Sequence, residues 1–232
     1  MNPQFRAGIK KKLSRVLPDS MKLRYLSYLP KLEKFRKSHT KEYPIFEDRY
    51  KMYDYINESV IGNQSIAYCE FGVFKGATIK YWTTLNLDIN SRFYGFDTFT
   101  GLPKTWGIFT ADFNRNTFDV GGKFPQIDDE RVRFIKGLFQ DTLPGFLEEY
   151  HSNHRLIIHN DSDLYSSTLY VLTAANEIIV PGTIIIFDEF SSILHEFRAL
   201  EDYCSAYLRK FEVVAATMSP TTYLHQIAIE MK

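Results

Sequence analysis

Five apolar runs, most of them followed by segments with helical spacing, place the strongest constraint on the fold of this chain. The runs are "SIAYCEF", "RFYGFD", "VRFIKG", "RLIIHN" and "TIIIFD", and each is typical of a buried strand. The tail "FEVVAATMSPTTYLHQIAIE" predicts two more strands, joined by a turn at Ser219 and Pro220. Repeated strand–helix units with a closing hairpin predict an α/β fold with a mostly parallel sheet of seven strands and right-handed crossovers.

The part of the chain before the first predicted strand has helical periodicity. Residues 8–38 indicate short basic amphipathic helices interrupted at Pro18 and Pro30, and residues 47–61 indicate one further amphipathic helix. We therefore predict a helical N-terminal extension over residues 1–46 and one α/β domain over residues 47–232.

The net charge of zero conceals a strong asymmetry. Residues 1–40 hold 11 Lys and Arg against 2 acids (11 − 2 = +9), and the remainder holds 17 against 26 (17 − 26 = −9). A basic segment could touch an anionic lipid surface, which we leave open as a weak contact. Its many leucines favour packing on the body instead. No nucleic-acid-binding motif is present in the sequence, and a homodimer is left open.

Two features bear on the compartment. No apolar run reaches the roughly 18 residues that a membrane span needs, and the N-terminus lacks the apolar core of a secretory signal. The only two cysteines are Cys69, in a predicted buried strand, and Cys204. A pair of reduced thiols is favoured over a disulfide, and we expect a cytoplasmic protein.

Polar and glycine residues follow the first two strands, where open α/β sheets bind ligands. The first strand ends in "EFGVFKG", which contains Glu70, Gly72 and Gly76, and the second ends at Asp97. Glycines there let a backbone approach a nucleotide-like ligand, and a carboxylate can accept hydrogen bonds from ribose hydroxyls. The alternatives are simple turn glycines and an aspartate that caps its own turn. We predict that these four residues bind such a cofactor.

Four carboxylates follow the fourth and fifth strands: Asp161, Asp163, Asp188 and Glu189. If these strands are neighbours, their tips lie about 5 Å apart, and the unpaired charges would repel each other. A hard divalent cation removes that cost, and carboxylate oxygens suit Mg²⁺ or Mn²⁺. The alternative makes Asp163 a helix N-cap and leaves Asp188 and Glu189 as solvated turn residues. The grouping favours a metal site.

Two further features have open roles. His159 precedes the aspartates and either orients a catalytic base or a ligand, or is structural. Residues 98–130 form a long irregular connection, and such connections are more often binding loops than spacers. Its aromatic residues favour a lid that excludes water over bound ligands. They are Phe99, Trp106, Phe109, Phe113 and Phe118.

Five ordered blocks of the sequence resemble the macrocin O-methyltransferase family over about residues 47–215. The blocks are "CEFGVFKGAT", "YGFDTFTGLP", "VRFIKGLFQDTLP", "HNDSDLYSST" and "PGTIIIFDEF". The resemblance implies a class I methyltransferase, Rossmann-like sheet with an antiparallel last strand. It also implies methylation of a hydroxyl on a sugar or glycosylated small molecule, with S-adenosylmethionine as the methyl donor. Mg²⁺ would be held by Asp161, Asp188 and Glu189, and Asp163 would be the general base. Glu189 departs from the family, which usually has an aspartate there.

Two other classes of function remain as alternatives. Asp161 and Asp163 also form the D-x-D pattern of glycosyltransferases that bind a nucleotide-sugar through Mn²⁺, a reading that leaves Asp97 and the glycines unexplained. A non-catalytic binding protein on the same fold would have no need to retain four acids at the sheet edge.

Overall fold

A computed structural model describes residues 3–16, 20–39, 43–105, 116–218 and 224–232. The predicted turn at Ser219 and Pro220 and the predicted break at Pro18 lie outside the described residues. None of the helices in these ranges combines the length and the apolar character that a bilayer crossing requires.

The described residues form one sheet of eight strands in the order β1-β7-β8-β6-β5-β2-β3-β4. Of these eight, only β8 is antiparallel, and it separates β6 from β7. This confirms the predicted α/β fold with a mostly parallel sheet. The strands are β1 Ile45–Phe46, β2 Ile66–Phe71, β3 Arg92–Asp97, β4 Val132–Lys136, β5 Arg155–Asn160, β6 Ile184–Phe187, β7 Phe211–Thr217 and β8 Ile227–Met231.

The predicted count of seven strands was wrong by one. The extra strand, β1, is two residues long and pairs in parallel with Ala216 and Thr217 at the edge of the sheet. A two-residue strand is too short to show any alternation of apolar and polar residues, so the sequence pattern could not reveal it.

The described part of the chain contains seven α-helices, which precede the sheet or cover it: α1 Pro3–Val16, α2 Met21–Ser38, α3 Arg49–Tyr55, α4 Ala77–Leu85, α5 Phe139–Glu149, α6 Tyr165–Ala174 and α7 Arg198–Tyr207. Two π-helical segments extend them, Ile56–Ile61 after α3 and Ile193–Phe197 before α7. The predicted interruption at Pro30 was wrong, since α2 continues through it. Proline removes one helical hydrogen bond, and burial of Phe35 against the body holds the second half of α2 in place.

Alternate residues of each strand supply two hydrophobic cores, one on each face of the sheet. Ile158 of β5 faces the core that includes Phe35 of α2, whereas Ile157 faces the core that includes Tyr53 and Trp82 of α3 and α4. Each fully buried isoleucine contributes roughly 1.5–3 kcal/mol. Burial on both faces explains why the central strands are nearly continuous apolar runs.

The two cysteines lie on different elements and are both free. Cys69 is buried in β2, where burial raises the pKa of its thiol. Burial is also the largest cause of the raised pKa of Cys204, about 12. The prediction of two reduced, unpaired thiols is therefore confirmed.

Gly72 follows β2 at a point where the chain leaves no room for a side chain. Its φ is +97°, and a Cβ built there would lie 1.8 Å from the backbone oxygen of Asp161. This close approach lets the chain after β2 cross beside the chain after β5, so the glycine is required by packing as well as by conformation.

Replacing Gly72 with alanine is expected to lower the free energy of unfolding by about 3 kcal/mol or more, because a positive-φ penalty adds to an overpacking penalty. Urea denaturation would measure it. Gly62→Ala is the matched control, since Gly62 also has a positive φ (+69°) but a Cβ there meets nothing within 4 Å. The control should lose only about 1–2 kcal/mol. Equal losses in the two variants would contradict the close approach.

Candidate active site

Four residues stand in one row at the carboxyl ends of four neighbouring strands. Phe71 of β2 is in register with Phe96 of β3 and Asn160 of β5, and Asn160 is in register with Phe187 of β6. The residues that come next in the chain are Gly72 after Phe71, Asp97 after Phe96, Asp161 after Asn160 and Asp188 after Phe187. Sequence reasoning placed all four at strand tips, and the structure brings them to the same edge.

A cleft of about 460 Å³ opens above this row. One end is acidic and the other is largely apolar. The residues that line it are Arg49, Gly72, Phe74, Asp97, Thr98, Gly101, Leu102, Pro103, Phe118, Gly137, Leu138, Phe139, Gln140, Asp161, Ser162, Asp163, Ser167, Asp188 and Glu189. A cleft that joins an apolar wall to a few charged groups is the usual form of a small-molecule site.

Three residues predicted for the site lie elsewhere. Glu70 and His159 are in register with each other one step below the row, and both are almost fully buried. Gly76 precedes α4, where its φ is +76° and a Cβ would lie 2.7 Å from Pro125. Packing accounts for this glycine, and none of the three lines the cleft. The pattern E-x-G-x-x-x-G thus contributes only Gly72 to it.

Asp97 organises the loops at the less acidic end of the cleft. Its Oδ2 accepts hydrogen bonds from the backbone N–H groups of Val73 and Phe74, each at 2.8 Å, and its Oδ1 accepts from Phe99 N–H at 2.7 Å. Phe74 and Phe99 both have positive φ, 51° and 57°. The carboxylate therefore fixes two strained turns. Its fourth acceptor position faces the Thr98 hydroxyl at 3.5 Å, but that hydroxyl donates at 2.8 Å to the carbonyl of Gly101, which leaves the position open to a ligand hydroxyl.

The acidic cluster, defined as Asp161, Asp163, Asp188 and Glu189, occupies the other end. Burial and the neighbouring acids raise the pKa of Asp163 and of Glu189 to about 7 in each case. Burial, followed by the charges of Asp188 and Asp163, raises the pKa of Asp161 well above its usual range. The described part of the chain supplies no hydrogen bond to the Asp161 carboxylate. Ionising the whole cluster is therefore costly unless a counter-charge is supplied.

Asp188 differs because an amide donor, a guanidinium and an imidazole surround it. Its Oδ1 lies 2.5 Å from Gln226 Nε2, 3.2 Å from Arg49 Nη1 and 3.5 Å from His159 Nε2. Burial opposes ionisation of Asp188, but these groups outweigh it and lower its pKa. Asp188 therefore stays charged although it is only 3% exposed, and the alternative of a solvated turn residue was wrong for it.

Glu189 is held through its backbone. Its N–H donates to Oε2 of Glu196 at 2.8 Å, while Oε1 of Glu196 accepts from Asn160 Nδ2 at 3.2 Å. Glu196 is fully buried on the π-helical segment before α7. π-helical segments are frequent at functional sites, and here the segment brings a carboxylate under the chain that leaves β6.

Asp163 is neither a helix cap nor solvated. The residue at the N-cap of α6 is Leu164, and Asp163 is 7% exposed with a φ of 59°. A non-glycine residue in the left-handed region costs roughly 1–3 kcal/mol and marks functional sites. The strained backbone aims this carboxylate into the cleft, beside Asp161 and Ser162.

The donor set suits a hard cation, although no finished cage is present. Carboxylate oxygens are the ligands of Mg²⁺ and Mn²⁺, and the bare Asp161 carboxylate is the atom group most in need of one. Within the ranges that the structure describes, no group of three His, Cys, Asp or Glu side chains is arranged to hold a metal ion. The predicted metal site therefore stays a prediction.

Arg49, Gln226 and Glu196 were missed by sequence reasoning. Arg49 opens α3 and Gln226 immediately precedes β8, so both reach the cluster from distant parts of the chain. No local spacing marks them. A signal was available for Glu196 alone, because an acidic residue stands among the large apolar residues Ile193, Leu194 and Phe197.

The long connection after β3 was correctly predicted to lack regular structure where it is described. Phe99 is fully buried, and Phe118 lines the cleft and packs edge-on against Phe74. Trp106, Phe109 and Phe113 lie outside the described residues. The hypothesis that this segment closes over ligands stays a prediction.

Comparison with known proteins places the chain in a family. Residues 47–211 match the family described as Macrocin-O-methyltransferase (TylF). One relative is the 8-demethyl-8-(2,3-dimethoxy-alpha-L-rhamnosyl)-tetracenomycin-C 4'-O-methyltransferase of Streptomyces olivaceus, 33% identical over 75 residues, which are 30% of this chain and 27% of the relative. Another is the Mycinamicin III 3''-O-methyltransferase of Micromonospora griseorubida, 26% identical over 117 residues, which are 48% of this chain and 41% of the relative.

The matched segments thus span less than half of each curated relative. Among solved structures, the calicheamicin methyltransferase CalS11 superposes with a TM-score of 0.58 at 20% identity, over 99% of this chain and 93% of its own. This likeness confirms the class I methyltransferase fold. Because the family match extends over more than half of the sequence, the chain belongs to the macrocin O-methyltransferase family.

Proposed function

We propose that the protein transfers a methyl group from S-adenosylmethionine to a hydroxyl of a sugar or glycosylated small molecule. The observation that carries the proposal is the row of Gly72, Asp97, Asp161 and Asp188 under one cleft. Asp97, which can accept a hydrogen bond from a ribose hydroxyl, lies at one end of the cleft, and a cluster of acids lies at the other. Membership of the family and the sugar-directed names of the two relatives support the choice of acceptor.

The cofactor fits the less acidic end. The free acceptor position of Asp97 would take a ribose hydroxyl, and Leu102, Leu138 and Phe139 supply apolar surface for a purine ring. Gly72 lets the ligand approach the backbone. Of the four residues predicted to bind the cofactor, this assignment retains Gly72 and Asp97 and does not include Glu70 and Gly76.

Asp161, Asp188 and Glu189 would hold Mg²⁺ or Mn²⁺. A divalent cation there supplies a Lewis acid that stabilises the acceptor oxygen as it loses its proton. Arg49 and Gln226 keep Asp188 ionised and oriented. Glu189 is longer than the family's usual aspartate, but its fixed backbone holds it at the cluster.

Asp163 would remove the proton from the acceptor hydroxyl. Its pKa of about 7, raised by burial and by Glu189 and Asp188, places it near the optimum for a base at neutral pH. The carboxylate points into the cleft beside Asp161, so the proton passes to Asp163 as the hydroxyl oxygen attacks the methyl group. Transfer then needs only alignment of the two reactants, which the cleft walls provide.

The ribose contact predicts a specific coupling between residue and ligand. S-adenosylhomocysteine should bind the native protein about 1–3 kcal/mol more tightly than its ribose-deoxy analogue, the value of one charge-assisted hydrogen bond. In Asp97→Ala this difference should fall close to zero, as measured by calorimetry.

Comparing two ligands on each variant separates the contact from the loop disturbance that loss of Asp97 also causes. The exposed Asp128 provides the control variant, Asp128→Asn, which should keep the full difference. An undiminished difference in Asp97→Ala, or tight binding of a UDP-sugar in place of the cofactor, would refute the assignment.

The metal and base roles predict different variant signatures. Asp161→Asn and Asp188→Asn should lose Mg²⁺ affinity and activity, with partial recovery of activity at high Mg²⁺. Asp163→Asn should keep Mg²⁺ affinity and slow methyl transfer by about 10²-fold or more, without recovery. Glu189→Asp should keep the metal, whereas Glu189→Ala should weaken its binding. Calorimetry with Mg²⁺ and mass detection of methylated candidate sugars would measure these effects. Unchanged activity in excess EDTA, with no metal in the purified protein, would rule out the metal-dependent reaction.

The N-terminal helix suggests a weak contact with an anionic lipid surface. Every side chain described in α1, residues 5–15, is exposed, including Phe5, Ile9 and Leu13 on one face, and its five charges are all basic. Such a helix lies in a membrane interface, with about 1 kcal/mol per basic residue near an anionic surface. A homodimer remains a prediction.

Leu13→Glu should abolish binding to vesicles that contain phosphatidylserine, because it places a negative charge on the apolar face of α1. Vesicle flotation would detect this, with pure phosphatidylcholine as the neutral comparison. Leu87→Glu is the control, since Leu87 is an exposed leucine of the α/β body, 78% against 50% for Leu13. Retained flotation of Leu13→Glu would disprove the contact.

A further inference from the structure

The Asp188 carboxylate is held from behind through one of its two oxygens. Oδ1 accepts a hydrogen bond from Gln226 Nε2 at 2.5 Å and lies 3.2 Å from Arg49 Nη1. No hydrogen bond from the described residues reaches Oδ2. Because Asp188 lines the cleft, Oδ2 is the oxygen that remains for a ligand there.

Gln226 is itself held by Thr217, the last residue of β7. The backbone N–H of Gln226 donates to Thr217 Oγ1 at 3.1 Å, and this hydroxyl donates to Gln226 Oε1 at 3.2 Å. A backbone N–H can only donate, so the hydroxyl oxygen accepts there and its own hydrogen is left for Oε1. With its oxygen bound in this way, the amide turns its nitrogen toward Asp188.

The contacts from Thr217 to Asp188 lie in a dry part of the protein. Thr217, Gln226 and Asp188 are 2%, 1% and 3% exposed. A buried amide that lost one of these partners would keep a polar atom without a hydrogen bond, which is costly. The hydroxyl and the amide do not titrate, so their arrangement follows from the hydrogen bonds themselves.

The end of β7 lies between the two segments that supply the groups around Oδ1. On one side Thr217 pairs with Phe46 of β1, three residues before Arg49, and on the other side β7 pairs with β8, which Gln226 precedes. The N–H of Thr217 donates to the carbonyl of Gln226 at 3.0 Å, and the N–H of His225 donates to the carbonyl of Thr217 at 2.9 Å. Backbone pairing therefore fixes Thr217 relative to Gln226 before any side chain is considered.

We propose that Thr217 is a positioning residue for Asp188 and acts on it through the side-chain amide of Gln226. Thr217 is not among the residues that line the cleft. Its hydroxyl orients the amide, the amide holds Oδ1, and Oδ2 is thereby directed into the cleft. The antiparallel hairpin of β7 and β8 thus braces a site whose other predicted residues all follow parallel strands.

The functional consequence rests on the proposed role of Asp188 as a metal ligand. Groups that orient a metal ligand from behind typically change metal affinity by about 10–100-fold when they are removed. Thr217 is one step further from the ligand than Gln226, and the rigid amide carries its effect. Loss of one hydroxyl outside the cleft should therefore weaken binding of a divalent cation inside it.

A pair of variants that differ at the hydroxyl tests this consequence. In Thr217→Val, Mg²⁺ affinity measured by calorimetry in the presence of S-adenosylhomocysteine should fall about tenfold, whereas Thr217→Ser should retain it. The matched control is Thr183→Val. Thr183 is 1% exposed, its Oγ1 accepts from the N–H of Val180 at 3.1 Å, and it lies at the opposite end of β6 from Asp188. The control variant should keep native Mg²⁺ affinity.

A double variant tests whether Thr217 acts through Gln226. Gln226→Met removes the amide and should also weaken Mg²⁺ binding. In a protein that already carries Gln226→Met, the further change Thr217→Val should leave Mg²⁺ affinity where it is, because the hydroxyl then has no amide to orient. Losses that add in the double variant would contradict the proposed path.

NMR of the full chain tests the position of the amide without any metal. ¹⁵N-glutamine labelling, with Gln226→Met as the assignment variant, identifies the side-chain amide signals of Gln226. Its Nε2 protons should exchange slowly with water in the native protein and in Thr217→Ser, and faster in Thr217→Val. Equal exchange in the native protein and in Thr217→Val would overturn the proposal.

The calorimetry and the NMR fail in different ways. Equal Mg²⁺ affinities for Thr217→Val and Thr183→Val, in a protein that binds Mg²⁺ in its native form, would refute the positioning role. If the native protein itself binds no Mg²⁺, the metal assignment of the proposed function fails, and the amide exchange still decides whether Thr217 fixes Gln226.

Discussion

Repulsion among buried carboxylates is the constraint around which this site is built. Two acids about 5 Å apart repel each other by roughly 3 kcal/mol at an effective dielectric constant near 20. The protein meets this cost most fully at Asp188, where Gln226 donates a hydrogen bond and the Arg49 guanidinium lies 3.2 Å away. The other members of the cluster have raised pKa values. Arg49 therefore balances only part of the negative charge that the ionised cluster would carry, and a divalent cation would balance the rest.

Asp97 solves a different problem at the opposite end of the cleft. Backbone strain at Phe74 and Phe99 is offset by three charge-assisted hydrogen bonds to one carboxylate. The loops after β2 and β3 are thus tied to each other before any ligand arrives. A preorganised wall loses little conformational freedom on binding, which is the usual way to raise affinity without adding contacts.

The fold and the row of residues at the strand ends could both be predicted from the sequence, because apolar periodicity shows where the strands lie. Asp97 is the last residue of its strand, and Asp161 and Asp188 each directly follow one, so their positions follow from the strand register. Glu70 lies one step inside the same strand end, where its side chain turns into the core, and spacing alone could not separate it from Gly72. Arg49 and Gln226 reach the cluster only through tertiary packing, which leaves no local signal.

Charge also connects the two ends of the cleft in the proposed reaction. S-adenosylmethionine carries a positive sulfonium, and the acidic cluster at the other end of the same cleft would attract it. Once the methyl group has moved, the sulfur is neutral and that attraction is gone. The acceptor proton, meanwhile, has passed to Asp163, which lowers the negative charge of the cluster. Loss of the sulfonium charge weakens the hold on the cofactor product relative to the methyl donor, and a protonated Asp163 leaves less charge in the empty cluster, so the electrostatics that assemble the reactants do not oppose release.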